Sequence, residues 1–225
     1  MIEARSTRQL LLNIRPPQTP SLDNFVAGSN GEIITALTRF AAGNEVNAIY
    51  LWGNLGSGRS HLLQATAAQA SRPVIYLRGN EVAGDFDPAP ETLVIVDDVE
   101  ALNPDAQIAL FRCFNDIRIK QLKLLLSGST AALHLPSRED LRTRIGQALI
   151  YEVKPLSDSD KASALLYHAA QRGMKVDDNI IDYLLRHGRR DVPSLMAVLD
   201  ALDQQSLEQQ RPVTLPLLRE ILQLG

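Results

Sequence analysis

With 225 residues, 45% of them hydrophobic, the chain is long enough for one α/β domain, a small appendage and a substantial core. Its 23 basic residues are outnumbered by 26 acidic ones, a net charge of −3, so composition gives no support to a surface built for duplex DNA. The single cysteine, Cys113, rules out a disulfide framework and argues against a zinc cluster, and no stretch approaches the ~20 apolar residues of a membrane span. The expectation is a cytoplasmic protein with no membrane partner.

Residues 1–20 read as a tail. It holds a short apolar segment, Gln9 to Ile14, followed by the breaker Arg15-Pro16-Pro17. Ala48 to Leu51 then reads as a short buried strand, and a glycine-rich loop follows it. A helix is predicted from Arg59 to Ala70, a second strand at Val74 to Leu77, and a polar loop from Arg78 to Glu91. Leu93 to Val96 is apolar without alternation, the mark of a strand buried on both faces. A helix is predicted over Asp105 to Ile119, a fourth strand at Leu124 to Leu126 and a fifth at Leu149 to Val153. Strands alternating with helices predict a parallel sheet covered on both faces.

After Pro155 the strand pattern stops. Ser157 to Asp160 reads as a capping box that opens a helix through Ala170. Asp177 is predicted to cap a helix through Arg186, a third runs from Val192 to about Leu207, and Thr214 caps the last with Pro216 in its first turn. The chain thus divides into a tail at 1–20, an α/β domain at 21–154 and a helical domain at 155–225.

The loop Gly53-Asn54-Leu55-Gly56-Ser57-Gly58-Arg59-Ser60 follows a strand and opens a helix, the context that G-x-x-x-x-G-K-[ST] requires. Glycines let the backbone curl so that successive N–H groups point at phosphate oxygens, and the helix N-terminus adds its positive end. Ser60 supplies a hydroxyl for Mg²⁺. Arg59 stands where lysine is usual. Its planar fork can neutralise phosphate, but it is bulkier than lysine. Nucleotide binding with slow or absent intrinsic hydrolysis is expected.

The strand Leu93 to Val96 ends in Asp97-Asp98, a Walker B arrangement. Asp97 is placed to hold Mg²⁺ through water and Asp98 to orient an attacking water. Acids at a strand end are often merely solvated; the P-loop sheet favours the functional reading. A small-molecule P-loop kinase stays open at this point.

Further segments resemble one family. Leu22-Asp23-Asn24-Phe25-Val26-Ala27-Gly28 resembles the entry segment that wraps adenine in the replication initiator DnaA. Ile49 to Trp52 through Arg59-Ser60-His61-Leu62-Leu63 is similar to the initiator's Walker A. Leu126-Ser127-Gly128-Ser129 stands at sensor I, and Leu141-Arg142-Thr143-Arg144-Ile145-Gly146 resembles the segment that carries its arginine finger. No segment resembles the initiator's DNA-binding domain or its N-terminal interaction domain. This pattern looks like the Hda family, regulatory inactivators of DnaA, which also carry arginine in Walker A.

The resemblance implies an AAA+ P-loop parallel sheet flanked by helices and followed by an all-helical lid. It implies ADP or ATP with Mg²⁺ as cofactors, held by Phe25, Val26, Gly53 to Ser60, His61, Asp97, Asp98 and Ser127. It implies Arg144 as an arginine finger acting in trans on DnaA-bound ATP. Gln9, Leu10, Leu12 and Ile14 match the hexapeptide that docks on the DNA polymerase sliding clamp (its beta subunit), so DNA is reached only through the clamp. The function implied is negative regulation of replication initiation, with nucleotide-dependent self-association left open. Pro193 occupies the place of the sensor II arginine, with Arg189 and Arg190 beside it. An active AAA+ ATPase of the helicase-loader or initiator type is the alternative, and an adaptor without a catalytic finger is another.

Among the remaining features, Trp52 and Cys113 read as core, and His134, His168 and His187 show no metal spacing. The Asp85-Phe86-Asp87 turn reads as solvated.

Overall fold

The computed structural model of the protein describes residues 19–43, 46–189 and 191–224. They form two compact units, one over residues 19–157 and one from residue 158 onward. The tail residues Gln9, Leu10, Leu12 and Ile14, and Arg190 in the second unit, lie outside the described residues.

In the first unit the order of elements is α1 (Gly31–Ala41), β1 (Ala48–Trp52), α2 (Arg59–Gln69), β2 (Val74–Arg78), β3 (Leu93–Asp97), α3 (Pro104–Asp116), β4 (Lys123–Gly128), α4 (Glu139–Gly146) and β5 (Leu149–Glu152). The five strands make one parallel sheet in the order β2-β3-β4-β1-β5. Strand alternation sends successive side chains to opposite faces. On β1, Ile49 and Leu51 pack with Leu37 and Phe40 of α1 and Leu62 and Leu63 of α2. Tyr50 between them turns to the other face, with Leu110 of α3 and Leu141 and Ile145 of α4. On β3, Leu93 and Ile95 join the first cluster and Val94 and Val96 the second, so every residue of this strand is buried. The apolar run without alternation is thus the signature of a strand covered twice, as expected.

Two helices of this unit were not assigned from sequence. α1 places Ile33, Leu37 and Phe40 on one face, a helical period that fills the sheet. α4 carries only Leu141 and Ile145 inward and is otherwise mostly charged, with Thr143 and Gly146 the exceptions. The polar stretch from Arg78 to Glu91 contains a short 3₁₀ turn at Gly79–Glu81. The Asp85-Phe86-Asp87 turn is not simply solvated: Phe86 packs on the α3 side of the core, and Asp87 accepts a hydrogen bond from the Lys120 ammonium. Cys113 is core, as the sequence suggested.

The second unit comprises α5 (Asp158–Gln171), α6 (Asp178–His187), α7 (Val192–Gln209) and α8 (Leu215–Leu224) around Leu165, Ile181, Leu184, Leu195, Leu199 and Leu218. Asp177 stands at the N-cap of α6, but its side chain makes no capping bond, contrary to expectation. The cap that forms is Asp191, whose carboxylate accepts from Ser194 N at 2.9 Å, with Pro193 in the first turn of α7. Proline is tolerated there because that N–H has no helical partner to lose. Across α5 and α7, Asp200 accepts from His168 Nε2 at 2.7 Å and from Arg172 Nη1 at 2.9 Å, while Arg172 Nε reaches Asp203 at 3.2 Å. Among the described residues no helix is long and apolar enough to cross a membrane.

Candidate functional site

The loop after β1 turns through Gly56 (φ +80°) and Gly58 (φ +98°), left-handed conformations that glycine adopts without cost. Gly58 is also the N-cap of α2. A Cβ on Gly58 would lie 2.7 Å from the Phe25 ring, so the entry segment rests directly on the loop backbone. His61, in the first turn of α2, donates from Nε2 to the Ser21 carbonyl at 3.0 Å, and its ring lies 5.4 Å from that of Phe25. His61 therefore fastens the entry segment. Asn54, Leu55 and Gly56 are exposed at the loop tip, Ser60 is exposed, and Val26 is half-buried.

Two polar atoms of the loop are buried without a partner among the described residues: Ser57 Oγ and Arg59 Nη1. Buried polar atoms left without a partner are costly. Oxyanions of a phosphate would satisfy both, so the residues present fit a nucleotide phosphate. The other terminal nitrogen of Arg59, Nη2, lies 3.3 Å from Asp98 Oδ1.

At the end of β3, Asp97 is buried. Its Oδ1 accepts from the Ser127 hydroxyl and its Oδ2 from the Tyr76 hydroxyl at 2.9 Å. Ser127 Oγ also accepts from Asp98 N at 3.0 Å. Ser127 is fully buried, and both of its bonds are spent on the two aspartates. The sequence reading gave Ser127 a contact near the terminal phosphate; the geometry gives it a hold on the acids. Asp98 adopts a left-handed conformation (φ 58°, ψ 68°) that turns its carboxylate toward Arg59. Burial and the neighbouring Asp97 push its carboxyl above the ordinary range, with Arg59 opposing. No cluster of three or more His, Cys, Asp or Glu forms a metal cage among the described residues. The acids suit Mg²⁺ of the kind that arrives with phosphate and keeps most of its waters.

Arg144 lies elsewhere. It is exposed in the last turn of α4, just before Leu149, which pairs with Ile49 at the start of β1. Its Nη2 donates to Asn115 Oδ1 at 2.9 Å, and its guanidinium sits 5.8 Å from the Phe111 ring centre. It borders an open cavity of about 650 Å³ together with Val46, Asn47 and Ala48 at the beginning of β1. The P-loop follows the far end of that strand. Arg144 and the loop thus lie toward opposite ends of β1, about one strand length, ~15 Å, apart.

Tyr76, Asn115 and Phe111 were not found from sequence. Each acts on a residue that is distant in the chain. In the second unit, Arg189 is exposed and stands 3.8 Å from Asp191, the cap beside Pro193.

Similarity to known proteins agrees with this geometry. Residues 158–222 match the family described as "Hda, lid domain". Domain III of the Thermotoga maritima replication initiation protein DnaA aligns over 92% of this chain and 96% of its own, with a TM-score of 0.73 and 16% identity. AMPPCP-bound DnaA from Aquifex aeolicus aligns over 86% of this chain and 68% of its own, with a TM-score of 0.69 and 21% identity. A RuvB variant from Thermotoga maritima aligns over 94% and 73%, with a TM-score of 0.70 and 16% identity. The parallel sheet with its glycine loop, followed in sequence by a helical unit, has the fold of an AAA+ module with a lid. Within that fold, residues 158–222 are similar to the Hda lid domain, and the chain as a whole has the fold of DnaA domain III.

Proposed function

We propose that this chain is a negative regulator of replication initiation that binds an adenine nucleotide, ADP in its working state, and accelerates hydrolysis of the ATP held by DnaA. The observation that carries this reading is the separation of Arg144 from the P-loop. A cation at the opposite end of the strand is out of reach of phosphates on its own loop. Exposed, and steadied by Asn115 and Phe111, it suits a nucleotide on another protein. A guanidinium supplied in trans stabilises charge on the transferring phosphoryl oxygens and is worth ~10³–10⁵ in rate in other systems.

The chain's own site then serves a structural purpose. Phe25 and Val26 flank the base, and the backbone N–H groups from Gly53 to Ser60, with Ser57 Oγ and Arg59, take the phosphates. Ser60 and Asp97 face the magnesium side, where the bound ion neutralises phosphate charge. Asp98 is engaged by Arg59, which opposes its use in orienting water, so intrinsic turnover is slow. Gln9, Leu10, Leu12 and Ile14 dock the tail on the sliding clamp, and DNA is reached through the clamp. The AMPPCP complex of the Aquifex relative supports adenine nucleotide as the ligand class.

The test is hydrolysis of DnaA-bound ATP with clamp loaded on DNA. The wild-type chain should accelerate it, and Arg144→Ala should abolish the acceleration while still binding clamp. No acceleration by the wild type rejects the function; full acceleration by the variant rejects the assignment of Arg144. Turnover by the chain alone, stimulated by single-stranded DNA, would favour a helicase-loader-type ATPase instead.

A further inference from the structure

Asp97 is 5% exposed, and a carboxylate so buried needs partners. It has two, both neutral hydroxyls: Ser127 on Oδ1 and Tyr76 on Oδ2. No Lys, Arg or His forms an ion pair with Asp97 among the described residues, since the nearby Arg59 is turned to Asp98. The group is thus oriented but not neutralised, which is what a cation arriving with the nucleotide requires.

Resting on the nucleotide reading above, we propose that Tyr76 is a positioning residue: its hydroxyl fixes the Asp97 carboxylate for the magnesium that accompanies a bound nucleotide. One hydroxyl cannot fix a carboxylate, because the group rotates about its Cβ–Cγ bond. Two hydroxyls, one per oxygen, from strands on either side of β3, lock that rotation. Tyr76 is on β2, paired in register with Ile95, so the long phenol reaches two residues along β3 to Asp97. Outer-shell partners of this kind are worth about ten- to a hundredfold in metal affinity where they have been removed.

The experiment is titration of the full chain with a fluorescent ADP analogue, in Mg²⁺ and again in EDTA. Tyr76→Phe keeps the ring and removes only the hydroxyl. It should weaken binding about ten- to a hundredfold in Mg²⁺ and leave binding in EDTA equal to wild type. Unchanged binding in Mg²⁺ overturns the proposal. An equal loss in both conditions also overturns it, because a merely structural tyrosine would behave so. These results leave the nucleotide reading intact, whereas a wild-type chain that binds in neither condition removes both.

Discussion

Arg59 Nη2 lies 3.3 Å from Asp98 Oδ1, so the P-loop cation and the second acid at the end of β3 neutralise one another. Phosphate must compete with Asp98 for the guanidinium. The Asp98 side chain is 56% exposed, so solvent screens the pair and its worth is at most about 1 kcal/mol. Asp98→Asn keeps a residue type that tolerates the left-handed backbone. The variant should bind ADP up to about fivefold more tightly than wild type. Arg59→Ala should bind at least about tenfold more weakly, having lost a charge-assisted bond. Titration with a fluorescent ADP analogue at low salt reads both, and weaker binding by the Asn variant would contradict the competition.

Gly58 and Phe25 set a second relationship. Alanine at Gly58 meets two separate obstacles: φ +98° and the Phe25 ring at 2.7 Å from the new Cβ. Gly58→Ala is expected to lower stability by at least about 1–3 kcal/mol from backbone strain alone. Phe25→Ala in the same chain removes the clash but not the strain, so the double variant should regain only part of the loss relative to Phe25→Ala alone. Urea unfolding of the four chains closes the cycle. Strict additivity would mean that the entry segment does not rest on the loop.

Ser127 is the pivot of the two acids. Its hydroxyl donates to Asp97 Oδ1 and accepts from Asp98 N at 3.0 Å, and it is fully buried. Ser127→Ala strands a carboxylate oxygen and a backbone N–H together. A loss of about 1–3 kcal/mol in unfolding free energy is expected, with most of it in the midpoint rather than the slope. A change below ~0.5 kcal/mol, the size of an ordinary surface substitution, would contradict this network.

What could be read from the sequence was what is local in the chain. The loop Gly53–Ser60 and the acids Asp97 and Asp98 carry their chemistry within eight residues or fewer, and a buried strand precedes each. The strands were legible because burial on two faces removes alternation, as in Leu93 to Val96. The helix α1 is legible in the period of Ile33, Leu37 and Phe40, although no element is assigned there from sequence. Tyr76 and Asn115 could not be found this way. Tyr76 is defined by Asp97, 21 residues on, and Asn115 by Arg144, 29 residues on, and only the order of strands and helices brings each pair together. The bonds of Ser127 to the two acids could not be read from the sequence either, because they depend on the register of β3 and β4, in which Val96 faces Leu126.

Cys113 supplies a pH-dependent prediction away from the nucleotide. It is buried on α3, and burial, with Asp116 adding to it, pushes the thiol from 9.0 up to about 11. At pH 8 the native protein should therefore react with a thiol reagent far more slowly than the urea-unfolded chain, because little thiolate forms and little is accessible. The effect on stability has a definite sign. Between pH 9 and about 11 the unfolded chain gives up the proton and the folded chain keeps it, so stability falls as pH rises through that window. The full effect is about 2–3 kcal/mol. Cys113→Ala costs some packing at every pH but lacks this titration. Stability measured by urea from pH 8 to 11 should then fall more steeply in wild type than in the variant, and parallel curves would show that the thiol is not held in a buried site.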